Sequence, residues 1–122
     1  MVPRPLSGID IIEIDRIKSA IERYQDGFIN RIYTPNEIAY CEKFFCKYEK
    51  YAARFAVKEA VAKVIKSGPR AFFLEMEIQI DTNGAPFLIL SDTLKKIFPY
   101  EIEISMSHCK AYAVGMATAI LA

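Results

Sequence analysis

The chain has 122 residues, 52% of them hydrophobic and 25% charged, with 16 basic side chains against 15 acidic ones and a formal net charge of +1. This length suits one domain spanning residues 1–122. The near balance of charge excludes a dedicated nucleic-acid binder, which carries a strong basic excess. The apolar fraction stands at the upper edge of globular usage and points to association between copies.

The opening MVPRPLSG holds two prolines and no apolar run of the kind that forms a signal-peptide core. From Gly8 the β-branched run GIDIIEI predicts a strand in which Asp10, Ile12 and Ile14 share one face while Ile9 and Ile11 point the other way. Ile14, Ile17, Ile21 and Tyr24 then recur at helical spacing, with Arg16, Lys18, Glu22 and Arg23 elsewhere around the helix.

Thr34-Pro35-Asn36-Glu37 reads as a helix start: a threonine cap, proline at the first helical position and a glutamate able to reach back. That helix is expected to run through Tyr40 and Phe44. The longest helix is predicted from Tyr51 to Lys66, rich in Ala, Val, Lys and Glu, and stopped by Ser67-Gly68-Pro69.

Leu74 to Asp81 alternates strictly between apolar and polar residues, the pattern of a half-buried strand. Asn83-Gly84 predicts a tight hairpin returning through Phe87 to Leu90, and Ser91 to Phe98 a short capped helix. Two further strands follow, Glu101 to His108 and Tyr112 to Leu121. The uncharged stretch 111–122 is far short of the roughly 20 residues that cross a membrane. The order of elements predicts an α+β fold, a small and mostly antiparallel sheet packed with three or four helices. Cys41, Cys46 and Cys109 are odd in number and form no CxxC pair, the usage of reduced thiols and a cytoplasmic home.

The single histidine excludes zinc sites that draw two or three imidazoles from one chain. A hard cation remains, because magnesium needs only one or two carboxylates beside waters and phosphate oxygens. Asp10 is one candidate ligand, since a carboxylate on an apolar strand face is costly to desolvate without a cation or hydrogen bonds. The same pattern also fits an aspartate that caps a turn at a sheet edge. Glu59 is the other candidate, and it equally fits an exposed helix pair with Lys63, four residues on. Arg54, Lys58, Lys63 and Lys66 add positive charge along one helix, either for phosphates or as a solvated surface. His108 ends a strand and reads equally as a hydrogen-bonded core histidine.

GIDIIEIDRI at 8–17, RIYTPNEIAYC at 31–41, RFAVKEAVAKVI at 54–65, DTNGAPFL at 81–88 and SMSHCKAYAVGMA at 105–117 together resemble the holo-acyl-carrier-protein synthase family, in order and in spacing. The resemblance implies a 4'-phosphopantetheinyl transferase fold and transfer of 4'-phosphopantetheine from coenzyme A to a serine of an acyl carrier protein, in fatty acid biosynthesis. It further implies a homotrimer with active sites between protomers. By the same resemblance Asp10 and Glu59 hold Mg2+ with coenzyme A phosphate oxygens, Lys63 contacts phosphate or assists proton transfer, and His108 stands near the coenzyme. Arg54 and Lys58 are placed at the coenzyme-facing end, and Arg16 and Arg23 at the carrier-docking positions. Asp26-Gly27 departs from the family, where basic residues often continue the docking strip. A non-catalytic oligomeric module that binds coenzyme A or the carrier is the competing expectation.

Overall fold

The computed structural model describes residues 2–68 and 72–121. In chain order the described elements are β1 (Arg4–Glu13), α1 (Ile14–Tyr24), α2 (Asp26–Ile32), α3 (Pro35–Cys41), α4 (Lys47–Ile65), a 3-10 turn (Phe73–Glu75), β2 (Met76–Ile80), β3 (Pro86–Leu90), α5 (Asp92–Ile97), β4 (Ile102–His108) and β5 (Tyr112–Leu121). The fold is α+β, as the order of elements predicts. Its pairing is antiparallel throughout, in one sheet of order β1-β5-β4 and one hairpin, β2-β3.

Small residues explain how the larger sheet meets α4. The inner face of β5 offers Ala113, Gly115, Ala117 and Ala119, and β1 adds Gly8 beside them. A Cβ on Gly8 would lie 2.1 Å from the Ala60 carbonyl oxygen, and one on Gly115 would lie 2.3 Å from the Val57 nitrogen. Only glycine permits this approach, which brings helix backbone against strand backbone. On its other side α4 carries larger groups. Tyr51 meets Tyr33 at a ring separation of 4.8 Å, and Phe55 meets Phe73 edge-on at 5.9 Å. Ile14, Ile17 and Ile21 of α1 complete this core, each fully buried branched side chain contributing roughly 1.5–3 kcal/mol.

Thr34 caps α3 as its sequence predicts: its hydroxyl accepts from the Glu37 N–H while the Glu37 carboxylate accepts from the Thr34 N–H. Ser91 caps α5 in the same manner through the Leu94 N–H. Several expectations change. Helix α3 stops at Cys41 rather than Phe44, because the Lys43 and Phe44 N–H groups turn back to the Tyr40 and Cys41 carbonyls. Helix α4 begins at Lys47 instead of Tyr51. It ends on a left-handed Lys66 (φ 57°) rather than on Gly68, and Pro69 of the predicted stop lies outside the described residues.

The predicted strand at Leu74 starts only at Met76, since Leu74 belongs to the 3-10 turn. The hairpin is wider than two residues. Ile80 pairs with Pro86, and Asp81 organises the loop by accepting from the Asn83 and Ala85 N–H groups through Oδ1, while Gly84 alone of the Asn-Gly pair takes positive φ. Tyr24, predicted on the buried stripe of α1, is exposed.

Candidate active site

Asp10 stands two residues beyond Gly8 on the inner face of β1, directly opposite Gly115. The close approach forced by the two glycines therefore delivers its carboxylate to α4. There the Lys63 ammonium lies 3.6 Å from Asp10 Oδ1 and donates to the Ile9 carbonyl at 2.6 Å. Asp10 is 20% exposed, against 54% for Lys63. Glu59, partly buried, sits one turn before Lys63, and with Ala62, Lys66 and Gly68 the two line a hollow of about 280 Å³. Lys63 thus serves β1 as well as lining this hollow.

Among the described residues no group of three His, Cys, Asp or Glu side chains is placed to hold a metal by itself. What the corner supplies is Asp10 and Glu59, hard oxygen donors without imidazole or thiolate. That donor set suits a cation that completes its shell with water and substrate oxygens.

Arg54 and His108 meet elsewhere, in a separate hollow of about 210 Å³ that Tyr40, Glu49 and Lys50 also line. His108, at the end of β4, is 39% exposed and lies with Nε2 3.1 Å from Glu49 Oε2, so it is no core histidine. Arg54 is only 1% exposed; its guanidinium covers the Tyr40 ring at 4.5 Å and Nη1 donates to the Lys50 carbonyl at 3.2 Å. Its Nε is buried with no hydrogen-bond partner among the described residues. A buried donor left unmade is costly, and an anion in this hollow would relieve it.

Lys58 requires a correction. Its side chain is wholly buried, and Nζ donates to the Ile32 carbonyl at 2.7 Å, Glu37 Oε1 at 2.6 Å and the Phe73 carbonyl at 2.8 Å. All three ammonium protons are spoken for, so Lys58 does not face a coenzyme. Burial pulls it below the ordinary lysine value of 10.5, and the Glu37 charge opposes that pull. Arg16 and Arg23 are exposed on α1. Arg23 covers the Tyr24 ring at 5.4 Å, next to a hollow of about 490 Å³ lined by Tyr24, Gly27, Phe28, Arg31 and Ile32. Gly27 of the Asp26-Gly27 pair and the Arg31 cation both line this hollow.

Sequence reasoning missed Glu49, Arg31 and Glu37. The His108 to Glu49 contact joins the end of β4 to the first turn of α4, a pairing that no local periodicity encodes. Glu37 was visible only as a cap. The outer face of the larger sheet is also newly seen, with Ile9 and Ile11 each 62% exposed, Ile120 60% and Met116 44%. Ile9 and Met116 are direct cross-strand partners.

With this geometry in view, the likeness to known proteins is specific. Residues 7–117 match the family model described as the 4'-phosphopantetheinyl transferase superfamily. The holo-[acyl-carrier-protein] synthase of Ruminiclostridium cellulolyticum is 47% identical over 119 residues, covering 92% of this chain and 89% of that protein. The corresponding synthase of Fusobacterium nucleatum is 44% identical, covering 90% and 93%. Among solved structures, the Helicobacter pylori synthase in complex with coenzyme A superposes with a TM-score of 0.85 at 30% identity, covering 93% of this chain and 99% of that one. The chain belongs to the 4'-phosphopantetheinyl transferase superfamily.

Proposed function

We infer that this protein, acting as a single domain, transfers 4'-phosphopantetheine from coenzyme A to a serine hydroxyl of an apo-acyl carrier protein and releases 3',5'-ADP. The observation that carries this reading is the joining of Asp10 and Lys63, with Glu59 one turn away, in a chain that matches the family over residues 7–117. In the reaction the serine oxygen bonds to the β-phosphorus as the bond from that phosphorus to the bridging oxygen of 3',5'-ADP breaks, and the hydroxyl proton is released.

Asp10 and Glu59 are the residues that would hold Mg2+. Bound there, the ion supplies positive charge against the oxygens of the pyrophosphate. Lys63 is half exposed beside Asp10, so its ammonium presents a second positive charge to the same phosphates. Arg54 and His108 would take the far end of the coenzyme, where the unpartnered Arg54 Nε favours an anionic group. Arg16 and Arg23 are exposed on α1, Arg23 beside the hollow that Tyr24 and Arg31 line, and would steer an acidic carrier into register.

The two clusters line different hollows of one chain, and the exposed apolar sheet face offers a means of uniting them. On this reading copies of the chain pack through Ile9, Ile11, Met116 and Ile120 as a homotrimer, and the Arg54 hollow of one copy completes the Asp10 cleft of the next. The unbridged Cys41, Cys46 and Cys109, and the lack of any described helix long and apolar enough to cross a membrane, suit work in the cytoplasm, in support of fatty acid biosynthesis.

The test is to incubate the protein with apo-acyl carrier protein, coenzyme A and magnesium, and to weigh the carrier. A gain of one phosphopantetheine is expected. Coenzyme binding without transfer would replace this reading with a non-catalytic module. Sedimentation of the same sample should give three times the chain mass, and a monomer active at high dilution would break the proposed union of the two hollows.

A further inference from the structure

Lys58 and Glu37 form the one ion pair recorded between fully buried side chains among the described residues, with both side chains at 0% exposure. Neither touches the candidate active site. Glu37 accepts from the Thr34 N–H and the Lys58 ammonium at Oε1, and from the Ile78 N–H at Oε2. Lys58 adds the Ile32 and Phe73 carbonyls. The end of α2, the start of α3, the 3-10 turn and β2 are thereby tied to one point on α4. An arrangement of this kind is seldom justified by stability, because burying both charges costs about as much as their attraction returns.

The position of that point on the helix shows what the pair does. Toward the sheet, α4 presents its backbone to Gly8 and Gly115, with Ala56, Val57 and Ala60 at the contact. The small residues give close approach there, and the Lys63 ammonium adds one hydrogen bond from the helix to the Ile9 carbonyl of β1. On the opposite side Tyr51 and Phe55 hold the earlier turns by ring contacts, and the Tyr33 hydroxyl donates to the Tyr51 carbonyl at 2.8 Å. Lys58 lies a turn beyond Phe55 and immediately before Glu59 in the chain. Its three hydrogen bonds are directional, so they bear on the roll of α4 at the turn that carries Glu59.

We propose that the buried Glu37–Lys58 pair is a positioning device for the transferase reaction, fixing the rotation of α4 so that Glu59 converges with Asp10. This rests on the assignment of Glu59 to the active site. A displacement of about 1 Å at a catalytic group is enough to cost on the order of 100-fold in rate.

The experiment replaces both charges at once, Glu37→Gln with Lys58→Met, so that no lone charge is left buried. Phosphopantetheine transfer to apo-acyl carrier protein is timed in this double variant, in Glu59→Gln, and in the protein carrying all three changes, with thermal unfolding recorded for each. The double variant is expected to stay folded, lose about 10- to 100-fold in kcat and keep its KM for coenzyme A within about twofold. On the Glu59→Gln background the same two changes should alter the rate less than about twofold, because their target is already gone. A folded double variant with normal kcat, or an equal fold-loss with and without Glu59, overturns the proposal. Failure of the underlying assignment shows separately, as unchanged turnover in Glu59→Gln alone, and that result overturns the proposal with it.

If the double variant does not fold, Glu37→Gln with Lys58→Gln, which removes both charges yet keeps hydrogen-bond donors at both positions, takes its place with the same readouts. If Glu59→Gln is too slow to time, crystal structures of the wild-type and altered proteins decide. A helix rolled so that Glu59 leaves Asp10 supports the role, and an unmoved helix overturns it.

Discussion

The two sides of α4 are built on opposite principles. Toward the sheet the contacts are glycine and alanine, with a missing Cβ at Gly8 and Gly115 that lets backbones meet. Away from it stand Tyr33, Tyr51, Phe55 and Phe73, with the buried Glu37–Lys58 pair among them. The first side gives nearness: Asp10 reaches Lys63 only because no side chain intervenes. The second gives direction, through hydrogen bonds with fixed geometry. The sheet side therefore has no room for added atoms, whereas the far side has no tolerance for a lone charge.

Removing one partner of the buried pair should have the largest effect. Lys58→Ala leaves the Glu37 carboxylate uncompensated and should cost about 3–5 kcal/mol in urea unfolding. Nearly full stability in that variant would mean that water enters the far side. Gly115→Ala tests the sheet side. Its Cβ would fall 2.3 Å from the Val57 nitrogen, so the strand must retreat, at a cost of about 1–3 kcal/mol and with a lower rate of transfer. An alanine variant of wild-type stability would show that the two backbones part freely.

The smallest effect is expected in acid. The Tyr51 hydroxyl hydrogen bond, with Lys47, holds the Glu42 carboxyl below its ordinary 4.5. Burial raises Glu77, but the bonds from Thr34, Gln79 and Asn36 outweigh it and leave that carboxyl lowered too. Both groups hold fewer protons in the folded than in the unfolded protein just below pH 4.5. Their stabilisation is therefore complete above that value and is lost as pH falls through the folded values. The urea midpoint should decline over this window, less steeply in Tyr51→Phe, and an unchanged slope would remove Glu42 from the account.

Much of the fold was legible because its signals are local. The capping box at Thr34, the alternation from Met76 to Ile80 and the isoleucine stripe of α1 each lie within a few residues of chain. The turn between α3 and α4 was not, since 42–46 contains neither proline nor glycine to mark it. Within the site, Lys63 lies beside Asp10 and lines one hollow with Glu59, while Arg54 and His108 share a second hollow. Lys58 misled because it sits in the same helix as Lys63 with the same charge. Only what packs around the helix separates a lysine bound to three buried acceptors from one that is 54% exposed.

By itself the sequence determined the order and type of most elements, the family and the pair of candidate carboxylates, because propensity, capping and short motifs act over neighbouring residues. Tertiary structure decided which lysine is buried, which face of the β1-β5-β4 sheet is left bare and which distant glutamate meets His108. Those outcomes depend on contacts such as Glu37 with Lys58 and Glu49 with His108, between residues far apart in the chain, and the alternation of a strand fixes that two faces exist without saying which one a helix will cover.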